Sequence, residues 1–130
     1  MNHRTNYSSG AIWEDKAGYS RAVKVGAHIE VSGTVASDEN GMVVGQNNPY
    51  EQTKYILQKI EKALVQAGAS LKDVVRTRMF VTDISKFDEF ARAHGEAFSS
   101  IKPCTSMIEV KGLVSADFLI EIEATAIITS

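Results

Sequence analysis

The segment Lys102-Pro103-Cys104-Thr105-Ser106 contains the only cysteine of the chain. A thiol needs a neighbouring base or cation to become a nucleophilic thiolate, and the sequence gives Cys104 no evident partner, so its reading is structural. One cysteine excludes an internal disulfide and a cysteine-based zinc cluster. His3, His28 and His94 are too dispersed to suggest a metal site. His94 lies on an apolar helical stripe, the setting of a satisfied core or interface residue rather than of a base. Arg76 and Arg78 alternate in one β-rich run, Glu121 and Glu123 in another. If those strands are neighbours, the four charges share one sheet face, as an ion-pair network or as a source of cations for a ligand. Arg92 has Asp88 and Glu96 four residues to either side, the spacing of surface ion pairs on a helix. Lys102, before Pro103, reads as a solvated turn residue.

The elements that must position these groups are legible from periodicity. "YSRAVKVGAHIEVSGTVA" alternates apolar and polar residues around Gly26, which predicts two short antiparallel strands. A turn at Asn40-Gly41 leads into an expected third strand, Met42 to Val44. Asn48 fits an N-cap, Pro49 the first helical position and Glu51 a capping box. Thr53, Ile56, Leu57, Ile60, Ala63, Leu64 and Ala67 then recur on one helical face, and Gly68 stops the helix. In "DVVRTRMFVTD" strict alternation sets Val75, Thr77, Met79 and Val81 against Val74, Arg76, Arg78 and Phe80. A second helix from about Ser85 carries Phe87, Phe90, Ala91, His94 and Phe98 as its apolar stripe. "TSMIEV" and "FLIEIEATAII" read as two more strands, the latter with Ile120, Ile122 and Ala124 inward and Glu121, Glu123 and Thr125 outward. The "MNHRTNYSSG" segment is polar, and at most partial order is expected there. The expected order is β-β-β-α-β-α-β-β: an α+β chain with two helices on one face of a mixed sheet and a charged opposite face suited to an oligomer interface.

With 130 residues, 44% hydrophobic and 23% charged, the chain fits one globular domain, 1–130, with a real core. A net charge of −2 and a pI near 5.9 oppose general nucleic-acid binding. No segment resembles a signal peptide or a membrane span, so a cytoplasmic location is expected.

Taken in order and at their spacing, "SGTVA", "QTKYILQKIEKAL", "AGASLKDVVRTRMFVTDISKF" and "IEIEATAI" resemble the YjgF/RidA (Rid) family nearly end to end. The resemblance implies a chorismate-mutase-like fold, a homotrimer with its open sheet faces turned inward, and small-molecule clefts between subunits, with no cofactor and no metal. It also implies hydrolysis of 2-imino or enamine acids to 2-oxo acids and ammonia. A non-catalytic metabolite-binding trimer is the alternative, and RNA cleavage, which older family names suggest, ranks below both. The resemblance places Tyr19, Ser32 and Gly33 at the cleft and gives Glu121 the task of positioning the attacking water. It places Cys104 beside the cleft, open to reaction with an electrophilic ligand. Deaminase members carry arginine in a Pro-x-Arg-Ser pattern, whereas this chain has Thr105. A guanidinium holds a carboxylate through two charge-assisted hydrogen bonds, a contact of about 1.5–3 kcal/mol, so its loss costs roughly one to two decades in affinity. Arg76, Arg78, Arg92 and Lys102 are the candidate replacements. A Glu121 tightly paired to arginine would have a lowered pKa and make a poor general base.

Overall fold

The computed structural model describes residues 3–129. One mixed sheet is built from β1 (Arg4–Tyr7), β2 (Ala22–Val25), β3 (His28–Thr34), β4 (Val74–Val81), β5 (Cys104–Glu109) and β6 (Ile120–Ile127). The spatial order is β1-β2-β3-β6-β4-β5, with every neighbouring pair antiparallel except the parallel pair β4–β5. A parallel pair needs a crossover, and α3 (Phe87–Phe98) supplies it. The longer helix α2 (Pro49–Gln66) packs beside α3 on the same face, and the short α1 (Ile12–Ala17) precedes β2. No helix of the described residues is long and apolar enough to cross a membrane.

The core lies between the helices and one sheet face. Ile56, Ile60 and Leu64 of α2 and Phe90 and Phe98 of α3 meet Ile29, Val31, Met79, Ile120 and Ile122 of the sheet, all buried. The predicted α2 stripe and the inward–outward alternation of β6 are both observed. Asn48 caps α2 by accepting the Glu51 N–H at 3.0 Å, whereas its own N–H goes to the Gly45 carbonyl, so only half of the capping box forms. Gly26, at φ 61°, opens the two-residue turn between β2 and β3, where the first residue must adopt positive φ.

Four expectations are corrected. Met42 to Val44 is not a strand: Asp38 closes a tight turn on the N–H groups of Asn40 and Met42, and a single bridge joins Ser37 to Val43. Positive φ at Gly45 and Asn47 then ends any extension, and Met42 has no buried face. The N-terminal segment, of which Met1 and Asn2 lie outside the described residues, is ordered instead from Arg4, as β1 pairs with β2 over four residues and α1 follows. In β4 the alternation slips at a bulge between Val74 and Arg76, which buries Val74 and exposes Val75. On α3, Phe87 is exposed and Ala93 is buried in its stead.

Candidate functional site

Residues directly opposite across a strand pair share a face. The helix-free face therefore carries Glu121, Glu123 and Thr125 of β6, Arg76, Arg78 and Phe80 of β4, and Cys104 and Ser106 of β5. Glu121 stands opposite Phe80 on one side; on the other, the irregularity in β3 between Val31 and Thr34 faces the adjoining stretch Ile122 to Ala124. Gly33 sits in that irregularity. A Cβ built on Gly33 would lie 2.0 Å from Glu121 Oε2 and 2.8 Å from its Cδ, so the absent side chain is what lets the carboxylate rest on the backbone.

Two influences dominate the Glu121 carboxyl. Burial pushes its pKa above the ordinary carboxylate value, the like charge of Glu123 adds to this, and Arg21 only partly opposes them. Among the described residues neither arginine of β4 forms an ion pair with Glu121, so the lowering that such a pairing would bring is absent. Arg78 pairs with Glu123 at 3.7 Å, and Arg76 donates to the Ser106 hydroxyl at 3.0 Å.

Ser32, Gly33 and Tyr19 gather at the same end of the sheet. Ser32 donates to the Ser20 carbonyl at 2.6 Å, and its N–H donates to the Arg21 carbonyl, which ties β3 to the segment entering β2. Tyr19 is exposed beside them, next in sequence to Ser20. The Arg21 guanidinium donates to the Gly33 carbonyl at 2.7 Å, so the same glycine contacts Glu121 through its Cα and Arg21 through its oxygen. Behind this loop, Lys59 of α2 donates to the carbonyls of Val35 and Ser37 at 2.8 and 2.9 Å. Burial, with Arg21 nearby, lowers the Lys59 pKa to about 8.

Cys104 and Thr105 do not join this cluster within one chain. Glu121 is level with Ile108, and Ala124 is level with Thr105, so the two sites are three residues apart along the strands and two strands apart across them. That is about 10 Å in each direction. Thr105 also points to the helical face. The buried Thr77 hydroxyl donates to Thr105 at 2.7 Å and contacts His94 Nε2 at 2.8 Å. Thr77 thus links His94 to Thr105 through one hydroxyl, which can give its proton to only one of the two. Burial lowers the pKa of His94 and keeps it neutral, as expected of a satisfied histidine.

Of the proposed replacements for the cation that Thr105 lacks, Arg78 is engaged by Glu123 and Arg76 by Ser106. Lys102 is an exposed turn residue at φ 55°. Arg92 forms no ion pair among the described residues, contrary to its helical spacing; it lies 4.2 Å over the Tyr50 ring, while the Tyr50 hydroxyl bonds Glu96. The cation that is present, Arg21, was overlooked. Its signal was available in "YSRAV": alternation from the inward Ala22 places Arg21 outward, one residue from the site serine's acceptor Ser20.

A six-stranded sheet with helices on one face and a glycine-seated carboxylate on the other defines a YjgF-like α+β protein. The chain belongs to the YjgF/RidA family, whose model, described as Endoribonuclease L-PSP, matches residues 11–128. It is similar to the crystal structure of a YjgF/YER057c/UK114 family member from Mycobacterium tuberculosis, with 46% identity, a TM-score of 0.88 and coverage of 97% of this chain and 100% of that one. It is 39% identical over 109 residues to a RutC family protein of Pyrococcus abyssi, covering 83% of this chain and 84% of the relative. It is also 36% identical over 110 residues to the 3-aminoacrylate deaminase RutC of Acinetobacter baylyi, covering 85% of this chain and 86% of that protein.

Proposed function

We propose that this chain is a trimeric hydrolase of small imine or enamine substrates, with Glu121 as its general base. Water adds to the imine carbon while Glu121 accepts a water proton and passes it to nitrogen; Glu121 then carries the hydroxyl proton of the carbinolamine to nitrogen as the C–N bond breaks, giving a carbonyl product and ammonia. The observation that carries the reading is the Glu121 carboxylate, half-buried on Gly33 with its pKa raised. A carboxylate whose pKa is moved toward the working pH is a better proton acceptor and donor than an ordinary one. The relative named 3-aminoacrylate deaminase supports the reaction class.

The single chain leaves Glu121 on an open sheet face. Two hollows of about 190 and 200 Å³ among the described residues lie elsewhere, the first lined by Thr82, Asp83 and Phe90, the second by Leu57, Glu61 and Ala97. A neighbouring copy laid on the open face would wall the cleft, and it is also the means of bringing a Thr105 edge close to a Glu121. Tyr19, Ser32, Gly33, Cys104 and Thr105 then line it, for a small-molecule ligand. The acidic composition disfavours RNA as substrate.

One observation favours a second reading, a non-catalytic metabolite-binding trimer: the Thr105 hydroxyl is already engaged by Thr77 and offers no charge. Incubation with 2-iminopropionate generated in situ separates the two. Faster pyruvate formation than in buffer, lost by at least about 100-fold in Glu121→Gln, supports the enzyme; wild-type protein no faster than buffer refutes it. If Thr105→Arg alone gains the reaction, the scaffold is competent and only the anchor is missing, which is the outcome expected of the second reading.

A further inference from the structure

We infer that Arg21 is the anion anchor of this cleft and that it takes the carboxylate of a small 2-oxo or 2-imino acid. The inference deepens the function proposed above and starts from a charge without a partner. Arg21 is half-buried, and among the described residues the ion pairs are His28–Glu30 and Arg78–Glu123, so no carboxylate closes on it. Its guanidinium has five N–H donors; its side-chain bond is the one to the Gly33 carbonyl, and its buried Nε has no acceptor. A guanidinium stays charged at any working pH, and withdrawing it from water without a counter-charge is costly unless a ligand supplies one.

The surroundings say where that ligand sits. Arg21 and Glu121 both rest against Gly33 without pairing to each other, with Tyr19 beside them. An anion held by Arg21 therefore places its adjacent carbon toward the Glu121 carboxylate, and the cation offsets the repulsion between the two negative groups. Glu14, the other carboxylate coupled to Arg21, is taken: it is buried and accepts from the Ser8 and Ser9 hydroxyls and the Ser9 N–H. Arg76, whose Nε is also without a partner, is a weaker candidate, because it stands opposite Thr125, four residues along β6 from Glu121.

Calorimetric titration with pyruvate and with its uncharged amide tests the assignment. Wild-type protein is expected to bind pyruvate at least about tenfold more tightly than the amide. Arg21→Gln should lose that preference, weakening pyruvate at least about tenfold more than the amide, and Arg21→Lys should keep part of it. The inference is overturned if wild-type protein binds neither compound or shows no preference, or if Arg21→Gln retains it. It is equally overturned if light scattering shows that Arg21→Gln changes the assembly mass, since Arg21 would then be an interface cation. Pyruvate binding that depends on Arg21, with no acceleration of imine hydrolysis, supports the anchor and refutes the enzyme reading.

Discussion

The contact between Glu121 and Gly33 concentrates the chemistry of this protein into one pair of residues. A carboxyl whose folded pKa is raised binds protons more strongly in the native than in the unfolded state. Glu121 therefore favours folding as pH falls through the window between its raised value and the ordinary 4.5, and burdens it above that window. Glu121→Gln is expected to raise the melting temperature at pH 7, with an advantage that shrinks on acidification; equal melting at both pH values would refute the burial account. Gly33→Ala forces the carboxylate off its seat, because the new methyl would lie 2.0 Å from Oε2. Loss of activity with a native circular dichroism spectrum is the expected result, and unchanged activity would show that the seat is irrelevant. The sequence pointed to Gly33 and Glu121 through family resemblance, but their direct contact arises where two distant segments meet across a bulge. Arg21 was missed for a related reason: its significance lies in a carboxylate 100 positions away.

At the scale of elements, the sequence is most readable where one face is buried over several turns or residues. The α2 stripe and the alternation of β6 are of this kind. It is least readable where pairing rather than burial makes the element. β1 shows no apolar pattern, since only Tyr7 packs against the core, and β2 supplies its hydrogen bonds. α1 turns Ile12 and Trp13 to solvent and buries Glu14, so its polarity reads inside out. A bulge such as that at Val75 is invisible to alternation, because one extra residue reverses every assignment before it. The link between α3, β4 and β5 through His94, Thr77 and Thr105 was equally hidden in three separate segments. Thr77→Val strands both partners of a buried hydroxyl and is expected to cost about 1–3 kcal/mol in urea unfolding. A change under about 0.5 kcal/mol would mean that the chain contributes little.

For the whole molecule, the uncovered sheet face makes a definite prediction of assembly. Val23 and Phe80 are only partly exposed on that face, and Arg76 keeps a buried Nε without an acceptor, features suited to a further protein layer. Light scattering should give three times the 14.2 kDa chain mass, and a monomer at micromolar concentration would exclude the intersubunit cleft. The strand order has a consequence for biosynthesis. β6 follows every other strand in sequence yet lies between β3 and β4 in the sheet. Until it is made, the nascent chain holds a β1-β2-β3 ribbon and a β4–β5 pair with two bare edges that nothing joins. A prematurely ended product lacking β6 thus loses more than its last strand: it exposes two unpaired templates and is prone to aggregate instead of remaining a soluble fragment.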